Sequence, residues 1–168
     1  MKKVLLAIDG LRSDRKAFLY AVELCQRIRV ELNIFQIIRP ELFRKCGDRL
    51  KKKGRLVRNL FEETMVAAAY AEANEHKLAI ELMNKASEES QRLLQASENA
   101  GVHCHFSLSS GNPGKEIVEY VKKHRDVVLT IYDADDTALR EGSGKSVKHK
   151  TLTRIKKGLS IPVVMVRQ

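Results

Sequence analysis

The 168 residues carry 31 Lys and Arg against 21 Asp and Glu, a net charge of +10, and 43% of them are hydrophobic. That apolar fraction, with only three Pro and nine Gly, excludes a disordered or collagen-like chain and fits one domain with a buried core. No run approaches the roughly 18 apolar residues that span a bilayer, Met1-Lys2-Lys3 leads into a strand-like segment, and the cysteines Cys25, Cys46 and Cys104 are too widely spaced for a disulfide framework, so a cytosolic setting is expected.

The run Lys3-Val4-Leu5-Leu6-Ala7-Ile8, stopped by Asp9-Gly10, reads as a parallel strand buried on both faces. Ser13 is the expected cap of a first helix, whose apolar positions Ala17, Tyr20, Ala21, Leu24 and Ile28 recur at intervals of three and four. Cys25 falls on the same face and belongs with the core. A second strand is expected over residues 30–38, ended by Pro40, which has no N–H to donate. From Arg44 to Arg58 the chain holds eight basic residues and one acid, broken by Gly47 and Gly54. Residues 59–100 contain neither Gly nor Pro and are rich in Ala, Glu, Leu, Lys and Gln, all good helix formers.

One unbroken helix over residues 59–100 would be about 63 Å long, against a radius of gyration near 15 Å for a compact chain of this size. A break at Ala73-Asn74-Glu75-His76, or protrusion, is therefore expected, with Leu78, Leu82, Met83, Ala86, Leu93 and Leu94 packing on the sheet. Gly101 then suits a helix C-cap, and residues 102–108 a third strand. Asn112-Pro113 places a capping residue before a Pro suited to a first helical turn, with Ile117, Val118 and Val121 as the buried face. A fourth strand over 127–132, a polar loop over 133–146, a basic helix over 147–157 and a fifth strand from Pro162 to Val166 complete the alternation. With right-handed crossovers this is a single doubly wound α/β domain over residues 1–168, with a parallel sheet and residues 41–77 as a basic and helical insertion after strand two.

These pieces together resemble the universal stress protein family. The matching stretches are Val4-Leu5-Leu6-Ala7-Ile8-Asp9-Gly10, the first helix from Ala17 to Leu24 leading to Glu31-Leu32-Asn33-Ile34, the Gly111-Asn112-Pro113 turn with Glu116-Ile117, Asp126-Val127-Val128-Leu129, and Ile161-Pro162-Val163-Val164-Met165-Val166. The resemblance implies a five-stranded sheet in order 3-2-1-4-5 and a homodimer paired through the last strand, Pro162 to Val166. An apolar strand left open at a sheet edge is also a liability that a second copy would remove.

Ligands of open α/β sheets bind beyond the carboxyl ends of the strands where strand order reverses, here between strands one and four. Asp9 ends strand one, where its carboxylate could accept from ribose hydroxyls or cap the adjacent turn. ATP-binding members of the family carry Gly, two residues, Gly, nine residues, then Gly and Ser or Thr after strand four, because phosphate needs bare backbone close by. This chain departs from the pattern, with Ile131 and Ala134 at the first two glycine positions. Gly142-Ser143-Gly144-Lys145-Ser146 before the last helix could still offer N–H groups and an ammonium to an anion. It is no Walker motif, since Leu139 stands where that motif requires Gly. The candidate cofactor-binding set is thus Asp9, Gly10, Gly142, Ser143, Gly144, Lys145 and Ser146, for ATP or AMP, and the competing expectation is no cofactor.

No motif of a hydrolase, dehydrogenase or metalloprotease appears, so no catalytic residue is assigned and no enzymatic turnover is expected. In His103-Cys104-His105 strand alternation sends the two imidazoles to one face and the thiol to the other, so the trio cannot converge on one metal ion; a His pair with distant ligands is the remaining arrangement, but structural side chains and no metal are expected. Cys46 lies among Arg and Lys that could lower its pKa, without a redox partner. Residues 44–58 contribute +7 and residues 140–157 contribute +6, leaving −3 for the remainder. Such concentrated charge suits an acidic protein, nucleic acid or anionic membrane surface, at Arg44 to Arg58 above all. The expected function is a non-catalytic regulatory or adaptor domain of stress-protein type. The alternatives are an adenine-nucleotide binder and an electrostatic binder of nucleic acid or membrane.

Overall fold

The computed structural model describes residues 1–39, 66–134 and 144–166. The first apolar run forms β1 (Lys3–Asp9), whose residues Val4 through Ile8 are all fully buried. β1 lies at the centre of a five-stranded sheet in order β3-β2-β1-β4-β5, between β2 (Glu31–Ile38) and β4 (Val127–Ala134). β3 (Cys104–Ser110) and β5 (Val163–Met165) are the edges, and every pairing is parallel. Among the described residues the helices are α1 (Arg15–Ile28), α2 (Val66–Asn99), α3 (Pro113–Lys123) and α4 (Gly144–Gly158).

Alternation along the strands divides the core in two. Val4, Leu6, Ile8, Leu32, Ile34 and Ile131 face α1 and Leu93 of α2. Leu5, Ala7, Phe35, Ile37 and Tyr132 face Ile117 and Val121 of α3 and Ile155 of α4. Each fully buried Leu or Ile contributes about 1.5–3 kcal/mol of transfer free energy; β1 supplies Leu5, Leu6 and Ile8, and β2 supplies Leu32, Ile34, Ile37 and Ile38, so these two adjacent strands anchor the sheet.

Several boundaries differ from those read in the sequence. The cap of α1 is Asp14, which accepts from the N–H of Lys16 at 2.7 Å and of Ala17 at 3.2 Å. Ser13 instead donates to Asp133 Oδ2 at 2.8 Å. The buried stripe of α1 is Ala17, Phe18, Ala21, Val22 and Cys25, leaving Tyr20 40% and Ile28 47% exposed. The helix is rotated so that Phe18 and Val22 carry the apolar contact expected of Tyr20 and Ile28. β3 begins two residues later than expected. β4 continues through Asp133 and Ala134, and α4 opens at Gly144; residues 135–143 of the expected polar loop lie outside the described residues.

α2 passes without interruption through residues 73–76, where a break was expected. With no Gly or Pro to stop it, nothing local forces a break, and 34 residues make a helix of about 51 Å. Its described buried positions, Ala86, Ser90, Leu93 and Ser97, follow one another by four, three and four, a single stripe on the sheet, while Lys77 and Glu81 are exposed. The C-terminal end is as expected. Gly101 takes φ of 71° and donates its N–H to Glu98 O at 2.8 Å, a left-handed stop that suits Gly. Asn112 caps α3 with Pro113 in the first turn.

Candidate crevice at the carboxyl ends of β1 and β4

Asp9 is the last residue of β1, between Ile37 of β2 and Ala134 of β4 in register. Its side chain turns to the α3 and α4 side of the sheet, the side of Leu5 and Ala7, and is 3% exposed. Arg39, the residue after β2, reaches across it. Arg39 Nε donates to Asp9 Oδ1 at 2.7 Å and Arg39 Nη2 donates to Asp9 Oδ2, a two-pronged ion pair. Tyr132 Oη donates to the same Oδ2 at 2.7 Å, and Arg39 Nη2 lies 3.5 Å from Thr151 Oγ1 of α4. Asp9 therefore does not cap the adjacent turn; it is the anionic centre of a buried cluster joining three strands and one helix.

The protonation states follow from this arrangement. The hydrogen bond from Arg39 to Asp9 holds the guanidinium pKa above its ordinary value, against the opposing effect of burial. Burial, then the Asp9 charge, pushes the Tyr132 phenol strongly upward. The cluster is thus a carboxylate, a guanidinium and a neutral phenol, and the bidentate geometry is the strong form of such a pair.

Gly10 follows Asp9 with φ of 140°, a conformation open to Gly and to few other residues. Its N–H donates to Ile37 O at 3.1 Å and its carbonyl accepts from Gln36 Nε2 at 2.8 Å. Both backbone groups are thus engaged by β2. On the opposite side of the sheet Asp133, 5% exposed, accepts from Ser13 Oγ and from the N–H of Asp14, each at 2.8 Å, tying the start of α1 to β4.

Ile131 is not beside Asp9. It pairs with Leu6 and Val164 and packs into the core on the α1 side, because alternation puts it on the face opposite Tyr132. The first of the two positions at which the family pattern places Gly is thus a core position, on the face opposite Asp9. Ala134 does lie on the Asp9 side, and the groups that crowd the carboxylate are Arg39 and Tyr132, which sequence reasoning missed. Strand alternation held a clue, since Arg39 is two residues beyond Ile37 and so on the same face as Asp9 once the register is known.

Of the candidate phosphate loop, Gly144, Lys145 and Ser146 form the first turn of α4, and Gly142 and Ser143 lie outside the described residues. The basic segment 44–58 and Cys46 also lie outside them. On α4, His149, Lys150, Arg154, Lys156 and Lys157 are exposed. Cys25 and Cys104 are buried free thiols, pushed by burial up to about 12 and about 11, which keeps both protonated and unreactive. Among the described residues no helix is long and apolar enough to cross a membrane.

The universal stress protein family model matches residues 1–167. No curated protein matches the chain. Among solved structures, the universal stress protein UspA from Lactobacillus plantarum is 17% identical with a TM-score of 0.59, over 99% of this chain and 97% of that one. The hypothetical protein MJ0577 is 15% identical with a TM-score of 0.66, over 99% and 96%. The universal stress protein from Archaeoglobus fulgidus in complex with dAMP is 12% identical with a TM-score of 0.55, over 99% and 98%. At these identities the likeness to the solved structures is one of fold.

Proposed function

We propose that this chain, which belongs to the universal stress protein family, is a non-catalytic regulatory or adaptor domain that acts by contact and whose nucleotide crevice is occupied by its own Arg39. The observation that carries this reading is the Asp9 carboxylate, 3% exposed and already accepting from Arg39 and Tyr132. A ribose hydroxyl would have to displace a bidentate pair of opposite charges and offers only a neutral donor to the carboxylate in return. The Gly10 N–H is likewise committed, to Ile37. The exposed cations of α4 suit an acidic partner surface, and the buried free thiols of Cys25 and Cys104 suit a cytosolic setting.

A second reading keeps an adenine nucleotide. It is favoured by the dAMP complex of the Archaeoglobus fulgidus relative. In that reading the nucleoside displaces Arg39 from Asp9, and the phosphates meet Gly142, Ser143, Gly144, Lys145 and Ser146 at the start of α4. Calorimetric titration with ATP, AMP and dAMP separates the two. The wild-type protein is expected to give no binding at micromolar nucleotide, and Arg39→Ala to gain it. One tightly held nucleotide per wild-type chain would overturn the closed-crevice reading.

A further inference from the structure

At the opposite, amino-terminal end of the sheet, a second cluster joins β3 to β2. Glu31 opens β2, and His103 stands opposite it, its carbonyl accepting from the N–H of Leu32 at 2.9 Å. His105, two residues on, is therefore on the same side of the sheet, while Cys104 turns into the α1-side core. The imidazole rings of His103 and His105 meet edge to face with centroids 4.7 Å apart. His105 Nε2 is 3.7 Å from Glu31 Oε2. One donor atom from each of Glu31, His103 and His105 lies within 4.8 Å of the other two.

We propose that Glu31, His103 and His105 form a binding site for a divalent first-row transition ion of the zinc type. Two imidazoles and a carboxylate are the donor set such ions take, with a fourth position left to water. Ligands about 2.1 Å from a tetrahedral ion stand about 3.4 Å from one another, so closing the site requires only side-chain rotations. Those rotations are available, because both histidines are exposed while the backbone that carries them is fixed in adjacent paired strands. The carboxylate is already held in place. Its side chain is only 16% exposed, with Lys3 Nζ 3.9 Å from Oε2. The same ammonium is bonded to Asp126 Oδ2 at 2.8 Å, the shorter of its two carboxylate contacts. Nitrogen donors from two side chains also disfavour Mg²⁺ and Ca²⁺, which take oxygen ligands.

The test is titration of the full chain with Zn²⁺ and, separately, Co²⁺. One ion per chain is expected to bind at micromolar concentration, with millimolar Mg²⁺ failing to displace it. His103→Ala, His105→Ala and Glu31→Gln are each expected to weaken binding about tenfold or more, and His76→Ala, on α2, to leave it unchanged. The Co²⁺ form should show the visible bands of a four-coordinate site without the near-ultraviolet charge-transfer band of a thiolate. Imidazole resonances of His103 and His105 in the wild-type protein should move on adding Zn²⁺, a readout independent of any variant. No binding at 100-fold excess of metal over protein, unchanged affinity in the three ligand variants, or unmoved imidazole signals would each overturn the proposal.

Discussion

At the scale of single residues, the Asp9 cluster links stability to function. Arg39→Ala leaves a carboxylate that is 3% exposed with Tyr132 as its remaining partner, and unpairing a buried ion is costly. A loss of about 3 kcal/mol is expected, read as a lower urea midpoint, so the nucleotide titration of this variant belongs at a temperature where it remains folded. Tyr132→Phe removes one buried hydrogen bond to a charged acceptor and should cost about 1.5–3 kcal/mol. It should also change the alkaline limb of stability. The folded phenol ionises above its ordinary value of 10.0, so above that pH the folded state holds a proton that the unfolded state has lost. The stabilisation from this group is fully present below pH about 10 and falls as pH rises beyond it. Urea midpoints measured between pH 9 and 11 should therefore decline more steeply for the wild type than for Tyr132→Phe, and parallel declines would contradict the placement of the phenol.

At the scale of elements, the contact between α3 and α4 depends on two glycines that face the neighbouring helix. A Cβ on Gly158 would stand 2.6 Å from Val118 Cγ2, and one on Gly114 3.1 Å from Arg154 Cδ. Gly158→Ala is expected to cost about 1–3 kcal/mol through overpacking, a fall in melting temperature of roughly 2–4 °C for each kcal/mol in a domain of this size. At Gly101 a Cβ meets nothing within 4 Å and only the φ of 71° is at stake. Gly101→Ala should cost about 1–2 kcal/mol of backbone strain, and Gly101→Asn should recover most of it because Asn tolerates that conformation. Equal melting temperatures for the Ala and Asn variants would refute this account. The same elements mark how far local reading goes. Asn112-Pro113 and Gly101 act through their own backbone and were legible, whereas the continuity of α2 was missed because a length argument was set against good helix formers with no breaker among them.

At the scale of the molecule, β5 is a three-residue edge strand with Val163 and Val164 half-buried and Met165 39% exposed. An apolar edge of this kind is expected to pair with a second copy. Sedimentation at micromolar concentration should find a dimer, and Met165→Lys should shift it towards monomer. A wild-type monomer at that concentration would overturn the expected pairing through β5. Two side-chain clusters stand at opposite ends of one sheet: Asp9, Arg39 and Tyr132 at the carboxyl ends of β1 and β4, and Glu31, His103 and His105 at the amino end of β2.

The alternation of apolar runs with amphipathic segments, the N-terminal cap of α3, the stop of α2 and the separation of Cys104 from its flanking histidines all followed from the amino-acid order alone. Each depends on residues a few positions apart, where backbone geometry fixes the relation between side chains. Only the tertiary structure decided that Arg39 and Tyr132, 30 and 123 positions away, would close on Asp9, and that Glu31 would join the two histidines. Those meetings are set by which strands lie side by side and in what register, a property of the assembled sheet that no local spacing encodes.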